Sequence, residues 1–428
     1  MNAVYSPSDL HGAVDAIASK SDLHRLLFCA ALADRPTRII MNGPAVLSED
    51  IKATVSCLEQ LGANIRCLPG VFEISPVEYP ADTPSFDCRE SGSTLRFLLP
   101  VAAACSTSPS FTGSGRLPDR PVGDLLHALG ENGISVSAPR LPFSFSGRLH
   151  PGTYTLPGNI SSQYITGLLL ALPLLERDSD IVLTTELESA SYVGITLHSL
   201  AQFGIRIEQA EHGWHVPGRQ FYRSPGTVMA DGDWSNASCF FLAGALGEKG
   251  VTVRDLHLDS PQGDKAVLEL FRAFGAEVSL QTVDGRTAVT VKPGELHGSK
   301  VDLTDIPDQL PVLAVLAACA EGETVFSGAA RLRLKESDRI AAVADMLHAF
   351  GVEAVEAPDG LTVTGTGGKP LHGAAVSSYN DHRIVMAASI AAAKADGETT
   401  LTGCEAVNKS YPTFFHDYLA LGGIANVI

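Results

Sequence analysis

The chain has 428 residues, of which 45% are hydrophobic and 18% are charged. This length exceeds what one ordinary hydrophobic core serves, so we expect two domains of about 200 residues each. The net charge of −17 argues against nucleic acid as a partner, because binding a phosphate backbone needs a basic surface. This net charge does not exclude a local basic pocket, which would suit a small anionic ligand.

Cysteine usage and the N-terminus both indicate a cytoplasmic protein. The eight cysteines form no C-x-x-C pair and no regular framework, which predicts reduced and buried thiols. The first residues lack the charged start and apolar core of a signal peptide. No apolar run reaches the roughly 18 residues that span a bilayer. We therefore expect no membrane partner.

One pattern recurs six times along the chain: an amphipathic helix that ends at a glycine, followed by short alternating strands. Each glycine is expected to end its helix in the left-handed conformation. The glycines recur about every 70 residues, at Gly62, Gly130, Gly204, Gly275, Gly351 and Gly422. A unit of this size can bury only one side of its sheet, so the units must pack with their sheets outward and their helices inside. The sequence thus predicts an α/β (α+β) fold of three plus three units, with a break near residues 229–238.

Several apolar helices begin with polar or charged clusters, at residues 19–25, 89–96 and 158–163. A helix N-terminus presents unpaired N–H groups and the positive end of the helix dipole. Ser161, Ser162 and Gln163, with Ser162 as the expected N-cap, therefore make a phosphate cradle. The alternative is a capped core helix that binds nothing.

Residues 331–339 concentrate four cations and two acids between a predicted strand at 322–328 and a predicted helix that ends at Gly351. Lys335, Glu336 and Arg339 are predicted to sit at the helix start. Lys335 and Arg339, four residues apart, are then expected to share one face. The alternative is a solvated charged turn.

Cations accompany these helix starts in several repeats. They are Lys20, Arg25, Arg96, Arg120, Lys335, Arg339, Arg383 and Lys409. A random distribution of surface charge would not recur in this way. Together these groups could hold two or three phosphate or carboxylate groups.

With these motifs the chain resembles the enolpyruvyl transferases, and within them the 5-enolpyruvylshikimate-3-phosphate synthase family. The resemblance runs from Ser19 to Pro412. Its most specific pieces are residues 92–96, 120–121, 161–163, 334–339 and 380–383. It implies a two-lobed inside-out α/β barrel with three repeats per lobe. The implied lobes are residues 19–230, and residues 231–428 together with 1–18.

The resemblance implies an enzyme that transfers the enolpyruvyl (1-carboxyvinyl) group of phosphoenolpyruvate to the 5-hydroxyl of shikimate 3-phosphate. Phosphate leaves by addition and elimination, in a step of the shikimate pathway toward chorismate and the aromatic amino acids. The implied partners are these two small molecules, and the enzyme is expected to be a monomer. No cofactor is implied, and no metal, because Arg and Lys neutralise the charges and His or Cys ligand spacing is absent.

The resemblance also implies roles for individual residues. We hypothesise Asp308 as the base for the hydroxyl and Glu336 as the acid and base at C3, with Lys20 assisting. For Glu336 the alternative is a salt bridge, and for His382 it is a hydrogen bond that only shapes the site. Shikimate 3-phosphate would be held by Lys20, Ser21, Arg25, Ser161, Ser162, Gln163, Ser189, Tyr192, Asp308 and Lys335. Phosphoenolpyruvate would be held by Lys20, Gly92, Arg120, Gln163, Arg339, His382, Arg383 and Lys409.

Some positions depart from the family's commonest pattern. Glu90 and Ser91 stand where Asn-Ala is frequent, which is expected to tighten the phosphoenolpyruvate pocket and leaves sensitivity to glyphosate, the family's competitive inhibitor, open. Arg331 stands where Asn is common, near the expected phosphate of shikimate 3-phosphate.

Two other functions match part of this pattern. The UDP-N-acetylglucosamine enolpyruvyl transferases share the fold and the phosphoenolpyruvate chemistry, but usually carry a Cys at the place of Gly115. A non-catalytic repeat scaffold that binds anions would explain the repeats, but not the acids and bases among the cations. A nucleotide-dependent kinase is disfavoured because the chain has no G-x-x-x-x-G-K-[ST] motif.

Overall fold

The computed structural model describes residues 1–42 and 46–428, and these residues form twelve α-helices and 24 β-strands. The helices are α1 Lys20–Ala31, α2 Glu49–Leu61, α3 Gly92–Cys105, α4 Gly123–Glu131, α5 Ser162–Ala171, α6 Ala190–Gln202, α7 Trp234–Leu246, α8 Val267–Phe274, α9 Leu310–Cys319, α10 Arg339–Ala349, α11 His382–Ala393 and α12 Phe414–Ala420. The strands are β1 Asn2–Ser6, β2 Gly12–Asp15, β3 Thr37–Ile40, β4 Asn64–Leu68, β5 Val71–Ser75, β6 Ser85–Asp87, β7 Ser110–Thr112, β8 Ile134–Val136, β9 Phe143–Gly147, β10 Thr153–Leu156, β11 Ser179–Leu183, β12 Glu208–Ala210, β13 Gly213–Val216, β14 Thr227–Met229, β15 Val251–Leu256, β16 Glu277–Val283, β17 Arg286–Lys292, β18 Lys300–Asp302, β19 Glu323–Ser327, β20 Glu353–Ala357, β21 Gly360–Thr364, β22 Ala375–Ser377, β23 Thr399–Thr402 and β24 Ile424–Val427. Short 3₁₀ turns lie at Leu117–Asp119, Leu172–Leu174, Gly263–Ala266, Pro307–Gln309, Ala330–Leu334 and Cys404–Lys409.

The chain divides into two compact units. The N-terminal unit comprises Lys20–Met41 and Leu47–Ala230. The C-terminal unit comprises Met1–Ser19 and Asp231–Ile428, with Asn42 and Val46. In the described residues no helix is both long enough and apolar enough to cross a bilayer.

Six four-stranded sheets are formed by the described residues, three in each unit, and all six follow one plan. Two parallel strands lie side by side, and an antiparallel pair completes the sheet. The N-terminal unit has the orders β14-β3-β5-β4, β6-β7-β9-β8 and β10-β11-β13-β12. The C-terminal unit has the orders β2-β15-β17-β16, β18-β19-β21-β20 and β22-β23-β1-β24. The six repeats predicted from the sequence are thereby confirmed.

The two places where the chain passes between units are visible in the strand pairing. In four sheets the parallel strands are consecutive in the chain and one helix joins them, as β6, α3 and β7 show. Strand β2, however, precedes α1 but pairs with β15, and β14 precedes α7 but pairs with β3. The two repeats have exchanged their first strands. For this reason the N-terminal residues belong to the C-terminal unit.

Each unit buries its most apolar helices, whereas amphipathic helices such as α4 are buried on one side only. In the C-terminal unit every residue of α11 is buried, and so are nine of the ten residues of α9. The strands alternate, as in β17, where Thr287, Val289 and Val291 face inward. This is the inside-out α/β arrangement that the apolar helices predict.

Two sequence predictions about single residues are wrong. Gly130 lies inside α4, and the left-handed glycine after that helix is Gly133, with φ of 100°. The other five repeat glycines have positive φ, as predicted. Cys67 is exposed rather than buried, because it lies on the outer strand β4 of its sheet.

Candidate active site

The start of α10 differs from the prediction by a few residues. Asp338 caps this helix, since its carboxylate accepts a hydrogen bond of 3.2 Å from the backbone N–H of Ala341. Arg339 is therefore the first helical residue, while Lys335 and Glu336 precede the helix, after the 3₁₀ turn Ala330–Leu334. They do not share a helical face. Glu336 nevertheless contacts Arg339 directly, and Lys335 and Arg339 both contact Asp308.

Arg339 is the centre of a charged cluster in the C-terminal unit, and its side chain is only 1% exposed. Its Nη1 lies 2.7 Å from Asp308 Oδ1, and its Nη2 lies 2.7 Å from Glu336 Oε2. Its Nε donates to Asp381 Oδ2 over 2.9 Å. Burial alone would lower the pKa of Arg339, but the three carboxylates together raise it. One guanidinium thus binds three acidic side chains.

Asp308 lies in the 3₁₀ turn Pro307–Gln309, just before α9. Besides Arg339, it faces Lys335, whose Nζ is 3.2 Å from Oδ1, and Arg383, whose Nη2 is 3.8 Å from Oδ2. Burial would raise the pKa of Asp308. The charges of Lys335, Arg383 and Arg339 outweigh burial and hold that pKa well below its usual value. Asp308 is therefore a carboxylate at neutral pH.

The start of α11 is fixed to the same cluster through Asp381, its N-cap. The Asp381 carboxylate accepts from the backbone N–H of Arg383 over 2.9 Å and from the hydroxyl of Ser337 over 2.9 Å, in addition to Arg339. Sequence reasoning assigned no role to Asp381. The signal was available, since Asp directly before an apolar helix is a typical N-cap.

The other predicted ligands of the C-terminal unit lie near the start of α11. Lys409 Nζ donates to the backbone carbonyl of Asn380 over 2.8 Å. His382, the first residue of α11, is buried, with Nδ1 3.9 Å from Asp381 Oδ1. Tyr379 and Asn380 both have positive φ, of 53° and 56°, which is uncommon for residues other than glycine. Strain of this kind is concentrated at functional sites.

A second cluster lies in the N-terminal unit, at the start of α1. Lys20 is the first residue of this helix, and its Nζ is 2.8 Å from Asp50 Oδ2 of α2. Arg25, which is 2% exposed, donates to Thr196 Oγ1 over 2.7 Å and to the backbone carbonyl of Tyr192 over 2.8 Å. Burial lowers the pKa of Arg25 to about 10, so the side chain stays charged at neutral pH.

The start of α3 lies against two arginines. A Cβ atom added to Gly92 would lie 2.6 Å from Arg96 Nη1 and 2.9 Å from Arg120 Cζ. Arg96 Nη1 also donates to Gln163 Oε1 over 2.7 Å, and Gln163 Nε2 donates to Ser93 Oγ over 2.9 Å. Gly92, Arg120 and Gln163, all predicted ligands, therefore lie together. Arg96 links them.

Two further helix starts carry the predicted serines. Ser161, not Ser162, is the N-cap of α5, and its Oγ accepts from the N–H of Gln163 over 3.3 Å. Ser189 precedes α6 in the left-handed conformation, with φ of 53°. Tyr192 follows in the first turn, with its carbonyl bonded to Arg25. Ser21 is likewise in the first turn of α1, where its carbonyl accepts from Arg25 Nη1.

The residues that depart from the family pattern lie as follows. Ser91 is 1% exposed, and its hydroxyl caps α3 by accepting from the N–H of Thr94 over 3.2 Å. The Glu90 carboxyl group fills the space into which a side chain at Gly115 would point, 2.5 Å from where a Cβ atom would lie. Arg331 donates to the Thr304 carbonyl over 2.9 Å.

The chemical capacity of these clusters is clear from their composition. Each presents helix N-termini and Arg or Lys side chains, which stabilise anions. Of the three carboxylates that contact Arg339 in the C-terminal cluster, those of Asp308 and Glu336 are partly exposed, which suits proton transfer beside a bound anion. Within residues 1–42 and 46–428, no group of three or more His, Cys, Asp or Glu side chains is arranged to hold a metal ion.

Comparisons with known proteins agree with this chemistry. The family model for EPSP synthase (3-phosphoshikimate 1-carboxyvinyltransferase) matches residues 4–418. The 3-phosphoshikimate 1-carboxyvinyltransferase of Clostridium novyi is 38% identical, over 98% of this chain and 97% of that protein. The enzyme of the same name from Clostridium acetobutylicum is 39% identical, over 99% of this chain and 98% of its own. The solved structure of EPSP synthase from Acinetobacter baumannii superposes with a TM-score of 0.82 at 25% identity, over 99% of both chains. The chain belongs to the EPSP synthase family.

Proposed function

We propose that the two clusters serve one reaction, the transfer of the 1-carboxyvinyl group of phosphoenolpyruvate to the 5-hydroxyl of shikimate 3-phosphate. The chain is a transferase of the shikimate pathway. The hydroxyl oxygen adds to C2 of phosphoenolpyruvate while C3 gains a proton. Phosphate then leaves C2 as C3 loses a proton. The reaction needs a base for the hydroxyl and a group that both donates and accepts a proton at C3.

Asp308 is the base for the 5-hydroxyl. Its ionised state supports this role, but three cations hold its pKa low, and such a carboxylate accepts a proton weakly. Both substrates are anions. Their negative charge beside Lys335, Arg383 and Arg339 would offset these cations and raise the pKa of Asp308 when the reaction requires it. The same cations would then hold the substrates.

Glu336 is the acid and base at C3. The observation that carries this assignment is its place beside Asp308 on a shared arginine: each carboxylate lies 2.7 Å from a different Nη of Arg339. Two carboxylates on one guanidinium can act on two atoms of one reacting molecule. The 2.7 Å contact also matches the alternative role of Glu336 as a salt bridge, so the two roles need a direct test.

That test is Glu336→Gln, which keeps an oxygen for Arg339 but cannot exchange a proton. We expect the turnover number to fall by about a hundredfold or more, while the dissociation constant of each substrate in calorimetry changes less than about twofold. Glu356→Gln is the matched control, because Glu356 pairs with Arg333 over 3.0 Å in the same unit. Substantial turnover in the Glu336 variant would leave this residue with a salt-bridging role only.

The remaining predicted residues hold the substrates. Shikimate 3-phosphate is held by Lys20, Ser21, Arg25, Ser161, Ser162, Gln163, Ser189, Tyr192, Asp308 and Lys335. Phosphoenolpyruvate is held by Lys20, Gly92, Arg120, Gln163, Arg339, His382, Arg383 and Lys409. Support comes from the placement of Lys20, Gly92, Ser162, Arg339 and His382 as the first residues of α1, α3, α5, α10 and α11. Lys20 assists either proton transfer or the departure of phosphate.

As functional lobes we propose residues 19–230, and residues 231–428 with 1–18. Among the residues that the structure describes, the compact units differ from these lobes at Ser19, Asn42 and Val46. We also propose a cytoplasmic monomer that does not bind nucleic acid. The free cysteines support a cytoplasmic location. The net charge of −17 supports the absence of nucleic-acid binding. Light scattering during gel filtration tests the monomer, which a mass near twice 45.0 kDa would contradict.

A further inference from the structure

A network of hydrogen bonds in the C-terminal unit connects Asp264 with Arg383 and includes Gln309, the neighbour of Asp308. It begins at Asp264, in the 3₁₀ turn Gly263–Ala266, whose Oδ1 accepts from Gln309 Nε2 over 2.6 Å. Gln309 Nε2 also lies 3.3 Å from Ser235 Oγ. Ser235 Oγ in turn accepts from Arg383 Nη2 over 2.7 Å. This hydrogen-bond network thus connects the starts of α7, α9 and α11.

Gln309 directly follows Asp308 in the sequence and ends the same 3₁₀ turn. Its side chain is completely buried, and its Oε1 has no hydrogen-bonding partner among the residues that the structure describes. A buried amide oxygen without a partner destabilises a fold. The amide nitrogen faces the Asp264 carboxylate, which fixes this orientation. A side chain kept at a cost to stability suggests a role other than packing.

We propose that Asp264 and Gln309 are positioning residues of the reaction, which hold the 307–309 turn and Arg383 so that Asp308 and Arg383 keep their relative placement. We assign neither residue a contact with substrate, since the hydrogen bonds of Asp264 and Gln309 lead to Ser235 and Arg383. Both act through their neighbours. This inference rests on the proposed function, in which Asp308 is the base and Arg383 binds phosphoenolpyruvate.

The charge of Asp264 fits the same arrangement. Burial raises the pKa of Asp264, and the nearby Arg383 opposes the rise. Asp264 and Asp308 thus lie in environments that shift their pKa values in opposite directions. Burial thus disfavours the ionised form of Asp264, while Arg383 and the hydrogen bond from Gln309 favour it.

The variant Gln309→Met tests the proposal, since methionine is close in volume and cannot bond to Asp264 or Ser235. A displacement of catalytic groups by about 1 Å can cost a hundredfold in rate, so we expect kcat to fall by about tenfold to a hundredfold. The melting temperature is expected to fall only slightly, because removal of the unpartnered Oε1 offsets part of the loss of the hydrogen bond to Asp264. A purely structural role would lower the melting temperature instead of kcat.

Gln262→Met is the matched control. Gln262 is also buried in the C-terminal unit and donates to a carboxylate, Asp231 Oδ2, over 2.9 Å, but among the described residues it has no hydrogen bond to Asp308 or Arg383. This control is expected to lower the melting temperature and to leave kcat within about twofold of the wild type. Wild-type kcat in Gln309→Met, or an equal loss of kcat in both variants, would overturn the proposal.

Two variants of Asp264 separate hydrogen bonding from charge. Asp264→Asn keeps an oxygen for Gln309 and should retain most of kcat, while Asp264→Ala should lose as much as Gln309→Met. Combining Asp264→Ala with Gln309→Met should then add no further loss. Equal loss in the Asn and Ala variants would assign the effect to charge and overturn positioning through Gln309. Wild-type protein that releases no phosphate from the two substrates would instead refute the proposed function.

Discussion

Arg339 is the residue on which the C-terminal cluster depends most. Its guanidinium is 1% exposed and binds Asp308, Glu336 and Asp381, of which Asp381 is completely buried. Breaking a buried ion pair leaves the partner's charge uncompensated, which costs far more than losing an exposed pair. Lysine cannot reproduce three directed contacts from one planar group. The candidate site and the stability of the C-terminal unit therefore both depend on Arg339.

We accordingly expect Arg339→Met to lower the free energy of unfolding by about 3–5 kcal/mol. Arg333→Met is the control, because Arg333 is 29% exposed and binds Asp338 and Glu356 near the surface, where a pair contributes at most about 1 kcal/mol. Urea denaturation of both variants measures the difference. Equal losses in the two variants would show that the buried cluster does not stabilise its unit.

His24 makes stability depend on pH in the mildly acidic range. It is 1% exposed, bonds to Thr54 through Nδ1, and has its pKa lowered well below the usual value by burial, then by Lys20 and Arg25. The unfolded chain takes up a proton near pH 6.5 while the folded chain does not. Stability is therefore full above about pH 6.5 and falls as the pH drops toward the folded pKa, by up to about 1.4 kcal/mol per pH unit.

Thermal unfolding between about pH 4.5 and 8.5, which spans about two units on either side of the usual histidine pKa, tests this dependence. His24→Asn, which retains a partner for Thr54, should flatten the acidic part of the profile. His215→Gln is the control: its pKa is raised, first by the Asp180 hydrogen bond, and its ring is exposed, so its small contribution has the opposite sign. An unchanged profile in the Asn variant would show that His24 is not the group responsible.

At the scale of elements, the helix starts carry the chemistry. Polar clusters before apolar helices predicted these starts, because N-caps and unpaired N–H groups depend on local sequence. Details that depend on tertiary contacts were not predictable. Lys20 pairs with Asp50, and Arg339 pairs with Asp381, across 30 and 42 positions of the chain. Helix α10 begins later than predicted because Asp338, a typical N-cap residue, sets its start.

The start of α3 gives a test of close packing. A methyl group on Gly92 would approach Arg96 Nη1 to 2.6 Å and Arg120 Nη1 to 2.9 Å, so both guanidinium groups must shift. We expect Gly92→Ala to raise the KM for phosphoenolpyruvate by about tenfold, the effect of roughly 1.4 kcal/mol, with a smaller change for shikimate 3-phosphate.

Gly123→Ala is the matched control, since Gly123 begins α4 and a Cβ there would meet no atom within 4 Å. That variant should leave both KM values unchanged and stabilise the helix by up to about 1 kcal/mol. Unaltered binding of phosphoenolpyruvate in Gly92→Ala would remove Gly92 and Arg120 from the proposed site.

At the scale of the whole chain, repetition was the most informative property of the sequence. Glycines such as Gly62 and Gly275 mark repeats because a left-handed residue ends each amphipathic helix, and this requirement is local. The exchange of β2 and β14 between repeats has no local signal, since pairing with β15 and β3 joins strands far apart in the chain. The residue roles came from resemblance to the family, not from spacing.

The most direct measurement is phosphate release from phosphoenolpyruvate by the purified protein, with shikimate 3-phosphate as acceptor and UDP-N-acetylglucosamine as the parallel acceptor. We expect release with shikimate 3-phosphate only. Release only with UDP-N-acetylglucosamine would assign the chain the activity of the sister enzymes. No release with either acceptor would contradict the enzymatic function and favour an anion-binding scaffold.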